Sequence, residues 1–350
     1  VTGLARAVGN RTVELDFDDL TMIGRDGARW STDAVAGAAD ALTDMIDKVS
    51  QAGEANESFR EVLARIAPGW LDDPLHRFFV SNYLTFDTGA ISELSAGLCD
   101  EGEKMRGPEV VIADGYDRIA TYLSGGLDIR LRKEVQSVSA SEGRVTLGCR
   151  DGTEFIADEV IVAVPLGVLK AQTITFAPPL PHSILEAIGG IGFNCVDKYL
   201  FTWDHTFWDD SDFVGYASAD QDAFSWFLNM NRIHPGSNAL MTFAYADTAR
   251  AMESLPDSAV IERVAPHMRL MYGSRIPAPV QVVRSAWGQD PYTRGSYSFT
   301  STTTRMDHFD RLAEAVGNMH FAGEHTHRDY YSTVHGAYLS GRRAADEVLR

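Results

Sequence analysis

The chain has 350 residues, 45% hydrophobic and 23% charged, a globular composition long enough for a large core and two domains, which excludes disorder, collagen and coiled coil. Its 31 basic against 49 acidic residues give a net charge of -18, and no basic run offers a surface to nucleic-acid phosphates. No apolar run approaches the roughly 18 residues of a membrane span; the longest, EVIVAVPLGVL, is broken by Pro165 and Gly167.

The chain opens on Val1, in text that reads as mid-domain, with no signal or transit peptide pattern. From Asp33 to Val49, Val35, Ala38, Leu42, Met45, Ile46 and Val49 recur at helical spacing behind Thr32 and Asp33 as N-caps. A second helix is predicted around Phe59, Val62, Leu63 and Ile66, and a third over Pro74–Tyr83 with proline at an early position. Beyond residue 107 the texture changes. Val110–Ala113 reads as a strand, Tyr116–Leu123 as a short helix closed by Gly125-Gly126, and Asp128–Arg132 as an alternating strand. Strand-like text continues through Val135, Val138, Val145, Leu147, Phe155 and Ile156, with turns at Glu142-Gly143 and Asp151-Gly152. The continuous apolar run Val160–Val164 predicts a strand buried on both faces of a mostly parallel sheet. Aromatic-rich strands follow, then a helix near Ser258–Tyr272 bent at Pro266, and a final strand, loop and helix from about Thr333.

One motif is missing. No G-x-G-x-x-G opens a βαβ unit; the nearest text, GGIGFNC, lacks the third glycine. A parallel sheet reduced to its later strands would leave an unpaired edge and an uncovered apolar face. The opening βαβ unit, with its phosphate loop, is therefore expected upstream or on a complementary chain.

The strongest chemical signal is FAGEHTHRDYYSTVHGAYLSG. Phe321–Ala322 ends a strand, Gly323 permits close backbone approach, and Glu324 adds a polar acceptor. The helix starting at Thr333-Val334 presents unpaired N–H groups and partial positive charge, suited to the electron-rich edge of a reduced flavin; Gly336 and Gly341 let it lie close to cofactor or sheet. This string, with DGYDRIATYLSGGLDIRLRKEVQSV, VIVAVPLGVLK, GFNCVDKYLFTWDHTFW and WGQDPYTRGSYS, resembles the FAD-dependent amine oxidases over nearly the whole chain. It is most similar to the branch of polyamine oxidases and lysine-specific histone demethylases.

The resemblance implies an α/β (α+β) fold. A discontinuous, Rossmann-like FAD-binding domain lacking its first βαβ unit would occupy 107–177 and 315–350. A mixed-sheet and helical substrate domain would occupy 1–106 and 178–314. It implies that the Val135 backbone holds the adenine, that Gly323 and Glu324 lie beside the ribityl–pyrophosphate portion, and that Thr333 and Val334 meet the flavin. Lys198 matches the lysine that reaches a water near the hydride-accepting nitrogen. Trp287 and Tyr297 match positions that wall the flavin and the amine site, Tyr292 falls where some relatives carry tryptophan, and Thr333 matches the second tyrosine of a monoamine-oxidase cage. The implied reaction is hydride transfer from a small-molecule amine to FAD, with imine hydrolysis and reduction of dioxygen to hydrogen peroxide. FAD is expected to be non-covalent, because no cysteine lies in the terminal loop.

A long aliphatic polyamine is favoured over methyl-lysine, because no heptad insertion precedes SNYLTFDTG, and over monoamines and amino acids. From another class, a non-catalytic fragment unable to hold FAD is the rival. No metal site is expected: His325 and His327 lack zinc-ligand spacing, and Cys99, Cys149 and Cys195 are scattered without C-x-x-C, as in a reducing, cytoplasmic setting. Asp16, Asp18 and Asp19 read as a solvated charge cluster, and no G-x-S-x-G occurs.

Overall fold

The computed structural model describes residues 1–103, 107–141, 143–217 and 224–350. In the Thr32–Ala52 helix, Val35, Ala38, Leu42, Met45 and Val49 form the buried stripe that the spacing predicts. Its cap, however, is Ser31, whose hydroxyl accepts from Ala34 N–H, and not Thr32 or Asp33. The Phe59–Ile66 helix starts with a reciprocal capping box between Ser58 and Glu61. The predicted third helix runs past its expected end. After Pro74–Phe79 the chain enters a π-helical turn over Val80–Leu84 and continues helical over Thr85–Asp87. Buried Asn82 sits in that turn, its amide donating to the Phe78 carbonyl and to Ser225.

These helices pack on one face of a six-stranded sheet. Its order is Gln281–Arg284, Val196–Thr202, Ala239–Tyr245, Trp226–Asn229, Phe213–Ala217 and Leu20–Gly24; only the last pairing is parallel. The period-two alternation of strand side chains divides the core. Val196, Phe213, Trp226, Leu228 and Phe243 meet the helices just described, while Tyr199, Phe201, Val214, Phe227 and Leu240 meet Val260, Val264 and Met268 on the opposite face. Those last three belong to the Asp257–Tyr272 helix, which continues through Pro266.

A third core surrounds a four-stranded sheet ordered Glu154–Ala157, Arg144–Cys149, Val135–Ser141 and Thr175–Ala177. The His182–Gly190 and Asp307–Ala313 helices contribute Ile184, Ile188, Phe309 and Leu312 to it. The Asp151-Gly152 turn is present, with Gly152 at positive φ; of the Glu142-Gly143 turn, Glu142 lies outside the described residues.

Two expectations are corrected here. Asp128–Arg132 is not a strand. Leu127, Ile129 and Leu131 are each more than half exposed, and alternation makes no ladder where no described neighbouring strand supplies partners. Val160–Val164 yields only the short strand Val160–Val162, parallel to Met319–Phe321 in a two-stranded pair. Val162 is buried but Ile161 is 38% exposed, because no described element covers its face. No described helix is long and apolar enough to cross a membrane.

Candidate functional site

Alternation along Val196–Thr202 sends Asp197 and Tyr199 into the core behind the sheet and turns Lys198 to the front, directly across from Phe243. In front of this strand the π-helical turn and the helical Thr85–Asp87 that follows present Tyr83, Phe86 and Asp87. The Phe86 ring lies 5.0 Å from Phe243 and 5.9 Å from both Trp226 and Tyr245, mostly edge-to-face. Two polar anchors hold this segment: the Tyr297 hydroxyl donates to the Phe86 carbonyl, and the Asn194 amide donates to the carbonyls of Thr85 (3.1 Å) and Thr88 (2.7 Å).

Burial shifts the titrating groups along this aromatic wall. Lys198 is reachable from solvent, yet the surrounding protein desolvates its ammonium and lowers its pKa. Asp87 is likewise reachable; desolvation, then the charge of Glu109, raises its carboxyl to about 6. Burial holds the Tyr245 and Tyr297 hydroxyls well above the usual tyrosine range, and the charge of Asp87 adds to both shifts.

Beside this wall lies the end of the chain. Gly323, at φ +132, follows the Met319–Phe321 strand, and its N–H donates to Ser340. Glu324 accepts from the N–H and hydroxyl of Ser298 (3.2 and 2.5 Å) and from Ser332 N–H (2.5 Å). Desolvation raises its carboxyl even against these donors. Thr333 caps the Val334–Val348 helix by accepting from Gly336 N–H at 3.0 Å. A Cβ on Gly336 would collide with the Tyr330 carbonyl oxygen, so glycine is required for this close approach. Gly341 has no other protein atom within 4 Å of where a Cβ would stand. The N–H groups of Val334 and His335 have no partner among the described residues. Two free donors at the positive end of a 15-residue helix, beside a bare glycine backbone, fit the electron-rich edge of a flavin.

The sequence-predicted residues divide into two groups. Tyr297, Glu324 and Thr333 are linked by the adjacent Ser298 and Ser332 bonds, and Tyr297 reaches the wall shared with Lys198 through Phe86 and Phe243. Tyr292 goes elsewhere: its hydroxyl bonds Glu134 at 3.1 Å, next to Val135 at the start of the Val135–Ser141 strand. Trp287, 42% exposed, lies on the loop joining these two places, and its N–H is held by Asp197. Val334 and His335 also open onto a largely apolar hollow of about 690 Å³, shared with Val1, Leu4, Tyr116 and Ile119.

His325 and His327 do not converge. His325 is buried under Gly323, where desolvation lowers its pKa to about 4, whereas the His327 ring bonds Tyr330 N–H. Asp16 and Asp19 serve a turn, accepting from Asp18 and Asp212 N–H. Sequence reasoning missed Asp87, Asn194 and Tyr245. Asn194 stood in the quoted block GFNC, but nothing local shows that it holds residues over 100 positions away.

The family described as "Flavin containing amine oxidoreductase" matches residues 41–349. This chain belongs to the flavin-containing amine oxidoreductases. Within that family, it is 30% identical to polyamine oxidase 4 of Oryza sativa subsp. japonica, over 99% of this chain and 73% of the rice protein. It is 33% identical to lysine-specific histone demethylase 1 homolog 2 of Arabidopsis thaliana, over 85% of this chain and 41% of that protein. The fold resembles that of a putrescine oxidase redesigned in its cofactor binding, with a TM-score of 0.76 at 20% identity, covering 100% of this chain and 85% of the other. The amine oxidoreductase chain described here thus spans between about two-fifths and three-quarters of these curated relatives. Membership in this family implies a flavin cofactor, and the terminal helix supplies donors of the kind a flavin needs.

Proposed function

We propose that this chain is the substrate-handling and later cofactor-binding part of an FAD-dependent oxidase of long aliphatic amines. The observation that carries this reading is a desolvated lysine across from the Phe86–Phe243 aromatic wall, linked through Tyr297 and Ser298 to a helix end with two free N–H donors. Gly323, Glu324, Thr333, Val334 and Trp287 would hold non-covalent FAD at this wall, and Val135 with Tyr292 would attend its adenosine end. The cofactor body comprises 107–177 and 315–350, and the substrate body 1–106 and 178–314, with the His182–Gly190 and Asp307–Ala313 helices packed onto the former. The chemistry the cofactor supplies when bound is hydride acceptance from the amine α-carbon and delivery of the electron pair to dioxygen, leaving an imine for hydrolysis. Lys198 places a positive charge or a hydrogen-bonded water at the reacting centre. Tyr245, Phe86 and Tyr297 exclude water and pack against the methylene chain. The exposed apolar face bearing Tyr116, Leu123 and Leu339 is proposed to receive a βαβ unit carrying the phosphate loop, from the same polypeptide or a complementary chain.

Asp87 is assigned to the second ammonium of the substrate. Above its raised pKa of about 6 the carboxylate is charged, so KM for a diamine should fall as pH rises through that value. Asp87→Asn should raise KM for spermine by about tenfold, the loss of roughly 1.4 kcal/mol, and erase this pH step. The same KM at both pH values in the unaltered protein would remove Asp87 from substrate binding. The assignment as a whole is tested by hydrogen peroxide release from the flavin-loaded protein with spermine, acetylated spermine, a methyl-lysine peptide and phenylethylamine. Spermine is expected to lead; no peroxide from any of the four would overturn it.

A further inference from the structure

Behind Lys198, on the other side of its strand, lies a group the proposed reaction does not use. Cys195, Asp197 and Glu253 are all buried, and their sulfur and oxygen atoms lie within 4.8 Å of one another. No lysine or arginine pairs with either carboxyl among the described residues. One oxygen of each carboxyl is held by donors from the protein. Asp197 Oδ1 accepts from the Ser285 hydroxyl (2.7 Å) and from Trp287 N–H (3.0 Å). Glu253 Oε1 accepts from Gly288 N–H (2.6 Å) and from the Cys195 thiol (3.5 Å). Ser285 in turn accepts from Lys198 N–H at 2.9 Å and donates its own N–H to the Lys198 carbonyl at 3.1 Å. A side chain at Gly288 would press on both Glu253 oxygens and on Cys195 Sγ, so the loop fits only as glycine.

A buried carboxyl beside a second one, with no ion-pair partner, favours its protonated form, and desolvation followed by the bond to Asp197 raises the Glu253 carboxyl in this way. We propose that a proton on Glu253 bonds it to Asp197 and that the two act together as a positioning device, clamping the Trp287-Gly288 loop to the strand that carries Lys198. This rests on the oxidase reading for its purpose but not for its existence. One carboxyl–carboxylate bond closes the pair, leaving the outer oxygens to hold two successive backbone N–H groups of the loop. Loss of the proton would set two like charges against each other and release the loop. The other groups facing the pair are the Cys195 thiol, pushed up to about 12 by burial, the Tyr199 hydroxyl, Arg250 and Arg284. Arg284 is engaged by the carbonyls of Met252 and Leu255 and by Asp257.

The test follows backbone exchange, which needs no turnover. Amide hydrogen exchange of the 285–290 peptide is measured by mass spectrometry from neutral into alkaline pH and corrected for intrinsic chemical exchange. Unaltered protein should lose protection about tenfold as the proton on Glu253 leaves, a change of roughly 1.4 kcal/mol in opening free energy. Glu253→Gln replaces the proton with an amide donor and retains an oxygen for Gly288 N–H, so it should keep protection across the range. Asp197→Asn should do the same, and Glu253→Ala should lack protection throughout. A Glu253→Gln profile that follows the unaltered protein overturns the proton on Glu253, even if the alanine variant fails to fold. In the flavin-loaded protein, amine-driven flavin reduction should fall about tenfold in Glu253→Ala and recover in Glu253→Gln. Exchange that follows the proton while reduction does not would overturn the positioning role. Absence of any amine-driven reduction in the unaltered protein would count against the oxidase reading, leaving the exchange result to stand or fall separately.

Discussion

Lys198→Met is expected to lower peroxide release with an amine by about a hundredfold while flavin content, read from visible absorbance, stays the same. Methionine keeps the length of the lysine stem, so the packing opposite Phe243 survives and the charged end alone is lost. The backbone bonds between Lys198 and Ser285 are also untouched, which makes the variant a test of chemistry and not of folding. A stopped-flow comparison divides the effect between amine oxidation and reaction with dioxygen. Unchanged turnover would remove Lys198 from the mechanism.

The second large effect belongs to the start of the terminal helix. Gly336→Ala should destabilise the protein by about 2–3 kcal/mol, measured by denaturant unfolding, and should reduce flavin occupancy. The added methyl meets the Tyr330 carbonyl, a backbone atom that cannot turn aside, so the first turn must shift and carry the Val334 and His335 donors with it. Gly341→Ala is the internal control. It lies on the same helix with nothing nearby, and helix propensity alone should make it stabilising by about 0.5–1 kcal/mol. Equal effects at both positions would refute the steric argument.

Much of this was readable from local text. The Thr32–Ala52 and Val334–Val348 helices announce themselves because each buries one stripe and the period of the chain matches it. The family was legible because five ordered blocks are more specific than any one motif. Asp128–Arg132 misled because alternation records a preference, and a strand also needs a neighbour to bond. The aromatic wall was harder. Asp87, Asn194, Tyr245 and Tyr297 come from four distant stretches, and their roles exist only after the sheet brings them to one side. Asp197 and Glu253 were invisible for the same reason: an isolated carboxylate in a sequence reads as solvated until its surroundings are known.

The π-helical turn over Val80–Leu84 carries one residue more than an α-helical turn would. Removing that surplus residue would restore regular winding and swing whatever follows by about 100° around the helix axis. Phe86 would then turn away from Phe243 and Tyr245. A single-codon deletion would thus re-aim this segment while leaving the terminal helix untouched.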